Sequence, residues 1–244
     1  MNIAIYPDSE QANKAAAERL SSWLTDPATR TVMPAAGNTP LDLYRRVAEK
    51  KLPLSRLTIF VLDEYVGVPL SEPRNCTNLL RKSVRDGWGI PDEQFFWISS
   101  VEKDAMASVQ QHERRIEKAG GLDVLILGLG QNGHLGFNEP GSAENSKARI
   151  LSLEPISVEA NRQWFQGKYA PDKGVTVGLS TILAARKILI MAYGPHKTVA
   201  VRAMVKGPRD ARCPASLLQG FPDVHVFLDS AAAADLDSNE PART

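Results

Sequence analysis

Two stretches of this chain place proton-transferring side chains where a β-strand would end. Asp63 and Glu64 follow the apolar run 58–62. His134 follows the run 124–127 after a turn of glycines, with Asn132 and Glu139 on either side of it. A carboxylate can carry a proton between neighbouring atoms, and imidazole titrates near neutral pH, so both suit general acid–base work. Strand-end acids are also common as turn or capping residues, and His112, His196 and His225 read as structural histidines. His134 differs, because a glycine-rich loop presents it beside an amide and a carboxylate. A third stretch, MPAAGNTP (33–40), is rich in small residues, leaves a strand and precedes a helix. A helix start can hold an anion, so this stretch could bind a phosphate. Lys197 and Arg202, near another strand end, add positive charge.

The glycines Gly128, Gly130 and Gly133 also spell G-x-G-x-x-G after a strand-like run, the pattern of a dinucleotide site. Glu154 stands at roughly the distance expected for the ribose-binding acid of such sites. That reading needs a helix to open at the glycines, and Gly136, Pro140 and Gly141 work against one. The glycines instead let the backbone approach a ligand while His134 and Glu139 enter the same cleft.

The bulk composition narrows the classes. The chain has 244 residues, 43% hydrophobic and 23% charged, with a formal net charge of +1, as in an ordinary globular protein. Basic pairs at Arg45-Arg46, Lys50-Lys51 and Arg81-Lys82 are short and read as solvated helix faces, so no nucleic-acid partner is expected. Cys76 and Cys213 are isolated, which gives neither a disulfide framework nor a C-x-x-C metal site. No secretory signal and no run long enough to span a membrane is evident, so a soluble, cytoplasmic protein with no membrane partner is expected.

Strand-like segments fall at 3–6, 31–34, 57–62, 95–98, 122–129, 174–177, 187–192 and 224–228. Helical patterns at 10–24, 40–50, 104–119 and 196–205 lie between them. Alternating strands and helices predict a single α/β domain over 1–230: a Rossmann-like, doubly wound, mostly parallel sheet with helices on both faces. The mixed region before 174 predicts a lid at about 140–170, with a short helix over 155–165. Residues 231–244 read as a flexible C-terminal tail.

LDEYVG (62–67) and LGLGQNGHLGFNEPG (127–141) resemble the glucosamine-6-phosphate deaminase/isomerase family. MPAAGNTPLDLY, GPHKTVAVRAMVKG and CPASLLQ extend the resemblance over roughly 30–220, and SEPRNC (71–76) places it nearest the galactosamine-6-phosphate branch. The resemblance implies a Rossmann-like fold, no nicotinamide and usually no metal. Its substrate would be a small sugar phosphate, galactosamine- or glucosamine-6-phosphate, turned into tagatose- or fructose-6-phosphate and ammonia. His134, oriented by Glu139 and Asn132, would open the sugar ring, and Asp63 would move the C2 proton to C1. Gly37, Asn38, Thr39 and Lys197 would hold the phosphate, with Arg162 about one residue from the family's arginine. Many members carry Asp where this chain has Asn132, and others carry Asn. Assembly with further copies of the chain is left open.

Two other functions compete. A 6-phosphogluconolactonase-type hydrolase would share the fold, but that family has Asp-Glu-Arg and Gly-x-Asp-Gly-His-Thr where this chain has Asp-Glu-Tyr and Gln-Asn-Gly-His-Leu. A sugar-phosphate-sensing regulator would need a DNA-binding segment, and none is expected before or after the domain.

Overall fold

The computed structural model describes residues 1–236. The chain runs β1 (Asn2–Tyr6), α1 (Ser9–Thr25), β2 (Thr31–Pro34), α2 (Leu41–Glu49), β3 (Thr58–Phe60), β4 (Asp63–Tyr65) and α3 (Cys76–Leu80). It continues through β5 (Phe95–Phe96), α4 (Glu102–Lys118), β6 (Val124–Gly128), β7 (Arg149–Ser152), α5 (Pro155–Trp164) and β8 (Lys173–Thr176). Next come α6 (Leu179–Leu183), β9 (Lys187–Ala192), α7 (Thr198–Lys206) and β10 (Val224–Asp229).

A parallel sheet in the order β1-β10-β9-β6-β2-β3-β5 forms the centre. Strand side chains alternate between faces, and β6 shows what that alternation does. Val124 and Ile126 pack with α1 and α2 residues such as Leu20 and Tyr44, whereas Leu125 and Leu127 pack with α6 and α7 residues such as Ile182 and Met204. Both faces are therefore covered, which is why the run 124–127 is apolar throughout. Alpha1 starts where the Asp8 side chain accepts the Gln11 amide at 2.8 Å, relieving an unpaired helix-start donor.

From β2 the chain winds outward through β3 to β5, then returns to β6 on the other side of β2 and winds away through β9 and β10. The switch point lies between β2 and β6, so a crevice opens where the loops after these two strands diverge. The doubly wound expectation holds, with one addition. Beta4, β8 and β7 form a separate antiparallel sheet, so the segment 174–177 does not join the parallel one. The mixed region contains β7 and α5, the latter at the place expected for a lid helix.

The start of the expected tail is packed rather than frayed. Ala232, Ala233 and Leu236 are buried in the core that holds Ala200, Val201 and Met204 of α7. The Asp229 carboxylate fixes the turn by accepting the Ala232 amide at 2.8 Å. The rest of that tail, 237–244, lies outside the described residues. Among the described residues no helix is long and apolar enough to cross a membrane.

Candidate active site

A cleft of about 290 Å³ sits at the switch point, near the lower end of small-molecule sites. Its floor is the loop 35–40 after β2, one wall is 128–137 after β6, and the other is β4 with the turn before α3. Ile156, Ser157, Ala160, Asn161 and Trp164 of α5 cover it.

Beta4 separates the two adjacent acids because successive side chains point to opposite faces. Asp63 lines the cleft. Glu64 is fully buried and accepts the amides of Tyr65 at 2.8 Å and Thr77 at 2.9 Å, which anchors the start of α3. Burial, and then the neighbouring Glu64 carboxylate, push the Asp63 carboxyl up to about 8. Burial also raises Glu64, to about 7, against its amide hydrogen bonds. Asp63 is thus a desolvated, strongly basic carboxylate when ionised, as proton abstraction from carbon requires.

His134 lines the same cleft, and its Nδ1 lies 3.2 Å from Oε2 of Glu139. That oxygen also accepts Nδ2 of Asn132 at 2.6 Å, while Oδ1 of Asn132 receives the His134 amide at 3.3 Å. Asn132 therefore braces Glu139 and the loop backbone, and bears on the imidazole through them rather than by a hydrogen bond to the ring. Burial raises the Glu139 carboxyl, but the His134 hydrogen bond and those from Ser157 and Asn132 leave it below its ordinary value. An ionised Glu139 holds Nδ1 as the protonated nitrogen and leaves Nε2 for proton exchange with a ligand.

Two loop glycines make these placements feasible. A Cβ on Gly130 would lie 2.3 Å from Cδ2 of His134, and one on Gly136 would lie 3.2 Å from Oδ2 of Asp63. No helix opens after Gly133: the loop doubles back through a bridge between Leu135 and Asn138, and Glu154 is exposed ahead of α5. The dinucleotide geometry is absent from this loop.

Gly37, Asn38, Thr39 and Lys197 line the same cleft. The Leu41 amide turns back onto the Asn38 carbonyl at 3.4 Å, and among the described residues no protein acceptor takes the amides of 37–39. Lys197 donates to the Leu129 carbonyl, and burial lowers its ammonium to about 8. Two expected cations are elsewhere. Arg162 lies on the outer side of α5, exposed and 3.4 Å from Glu159. Arg202 donates to the Asp235 carbonyl at 2.7 Å, drawn to the packed C-terminal segment. The cleft's guanidinium is instead Arg74, from the SEPRNC turn. Cys76 and Trp164 also line it, and neither was identified from sequence as a cleft residue. The only sequence signal for Arg74 was a basic residue in a loop near a strand-end acid. His112 is buried against Phe60, with burial lowering its imidazole to about 3, which is the structural role expected.

Fold and site together define a Rossmann-like α/β protein whose switch-point cleft brings Asp63 and His134 together with the loop 37–39 and Lys197. The chain belongs to the family of glucosamine-6-phosphate isomerases/6-phosphogluconolactonase, whose family model matches residues 7–226. It is 37% identical to a glucosamine-6-phosphate deaminase of Corynebacterium kroppenstedtii, covering 98% of this chain and 94% of that protein. A glucosamine-6-phosphate deaminase of Cutibacterium acnes is 36% identical over the same shares of each. Among solved structures, a monomeric glucosamine-6-phosphate deaminase superposes with a TM-score of 0.91 at 28% identity, covering 96% of this chain and 99% of that one. The 6-phosphogluconolactonase of Trypanosoma brucei shares the fold, with a TM-score of 0.78 at 20% identity over 96% and 98% of the two chains.

Proposed function

We propose that this protein converts a 2-amino-2-deoxyhexose 6-phosphate and water into the corresponding ketose 6-phosphate and ammonia. The observation that carries the reading is Asp63, a buried carboxylate in one cleft with the Glu139-backed His134 and the anion loop 37–39. His134 takes the proton from the C1 hydroxyl and returns it to the ring oxygen, which opens the sugar. Asp63 then removes the C2 proton while a proton of the substrate ammonium passes to the C1 oxygen, giving an enolamine with a C1 hydroxyl, and Asp63 delivers its proton to C1. The resulting iminium at C2 is hydrolysed, releasing ammonia and leaving the ketone. Gly37, Asn38, Thr39 and Lys197 hold the phosphate, so that the reacting carbons lie near Asp63. Fixing the distant phosphate in this way converts binding energy into orientation at the reacting atoms.

Both C4 epimers fall within the reading. The SEPRNC pattern favours galactosamine-6-phosphate, and the names of the curated relatives favour glucosamine-6-phosphate. The two buried free thiols suit a reducing, cytoplasmic setting. The deciding experiment is ammonia release from each amino-sugar phosphate, with lactone hydrolysis measured alongside. Folded protein that releases no ammonia from either sugar, or that hydrolyses the lactone well above the spontaneous rate instead, overturns the reading.

A further inference from the structure

We propose that Arg74 is the guanidinium that grips the substrate phosphate, acting with Lys197 across the cleft. The anionic nature of that group rests on the function proposed above; the choice of residue rests on geometry. Among the described residues, Arg74 and Lys197 are the only arginine and lysine lining the cleft. Arg162, the arginine the sequence nominates, points out to solvent beside Glu159.

Arg74 is held ready for an anion. Its carbonyl accepts the indole N–H of Trp164 at 3.1 Å, and its guanidinium carbon lies 5.6 Å from the centre of the same ring. Stacking on an aromatic face restrains a guanidinium while leaving its in-plane N–H donors free to bind an oxyanion bidentately. The nearest acid in sequence, Glu72, bonds Lys168 Nζ at 2.7 Å, accepts the Arg74 amide at 3.4 Å and feels the Arg74 charge without pairing with its guanidinium. Among the described residues no carboxylate pairs with the Arg74 guanidinium, whereas Arg46, Arg85, Arg209 and Arg212 are all so paired. Arg74 is partly buried, lines the cleft with the loop 37–39, and feels Glu72 only as a charge at longer range, so its N–H donors remain open to an anion. Because Trp164 belongs to the covering helix α5, phosphate on Arg74 also ties that helix to the occupied cleft.

The test is binding, which requires no turnover. The probe is a 2-amino-2-deoxyhexitol 6-phosphate, which lacks the C1 carbonyl and cannot react, compared with the same alcohol without phosphate. Calorimetry on Arg74→Gln should show the phosphorylated probe weakened about tenfold or more, the scale of one charge-assisted hydrogen bond. Arg162→Gln should bind it as wild type does, and the unphosphorylated alcohol should not distinguish wild type from Arg74→Gln. Arg74→Lys keeps the charge but loses the fork, so it should fall between, and it replaces Arg74→Gln should that variant fail to fold. Unchanged affinity in Arg74→Gln or, in its place, in Arg74→Lys overturns the assignment; so does a loss in Arg162→Gln, or equal loss of both alcohols. Wild type that binds the phosphorylated probe through Arg74 but releases no ammonia refutes the deamination reading alone. Ammonia release with an unchanged KM in Arg74→Gln refutes this assignment alone.

Discussion

The Cα of Gly130 lies directly against the imidazole of His134, so that a single added carbon would sit 2.3 Å from the ring. Real contacts at that distance do not occur, and the ring would have to leave its place above Glu139. Gly130→Ala should therefore lower kcat by about 100-fold, as misplacing a catalytic group by an ångström does. Circular dichroism should show the fold retained. Wild-type kcat in this variant would mean that the ring position has no bearing on turnover.

Asn132 donates to the same Glu139 oxygen that His134 contacts. Asn132→Asp replaces that donor with an acceptor, and two carboxyl groups at this spacing must share a proton. Activity should approach that of wild type at low pH, where the shared proton is present. It should fall away as pH rises and the pair ionises fully. A pH–rate profile parallel to wild type would refute this.

In the proposed reaction Asp63 can act as a base only when ionised, and burial pushes its carboxyl up to about 8. The kcat/KM profile reports the free enzyme and should therefore climb toward pH 8. Lys197 loses its charge through about 8, so KM for a phosphorylated sugar should rise beyond that point. An amino sugar bound as proposed would bring an ammonium next to Asp63, so the acid limb of kcat should lie at lower pH. Lys197→Arg should remove the rise in KM. Steady-state kinetics across pH test all four statements.

The same carboxyl makes the site costly to the fold. Its folded value is above the ordinary 3.8, so the stability it confers is present at low pH and is lost as pH rises through about 8. Asp63→Asn should flatten this dependence and be more stable than wild type at alkaline pH by about 1 kcal/mol or more, since one pKa unit is worth about 1.4 kcal/mol. Urea midpoints taken below and above this window give the comparison. In the same variant, exchange of the C2 hydrogen with solvent should cease.

Tyr65 connects the site to its cover. Its ring packs on Phe137 and Phe165, and its hydroxyl donates to Oδ1 of Asn161 on α5 at 3.0 Å. Tyr65→Phe should cost about 1 kcal/mol and raise hydrogen exchange in α5 with little change elsewhere. The Glu72–Lys168 pair should matter less, because the lysine side chain is 63% exposed and screened by solvent.

Local signals that repeat along the chain were legible in the sequence. The run 124–127 is apolar at every position because β6 is covered on both faces, and strand–helix alternation follows from the crossovers of a parallel sheet. Asp63, His134 and the loop 37–39 were legible because each follows a strand, and strand ends of a doubly wound sheet converge on one edge. What depended on direction and distant packing was not. Arg162 and Arg74 are equally basic in sequence, yet helical phase turns one outward while the loop before α3 turns the other into the cleft. Neither the antiparallel pairing of β4 with β8 nor the burial of Ala232, Ala233 and Leu236 has a local signature. Both arise from contacts between segments far apart along the chain, whose partners exist only once the sheet has brought them together.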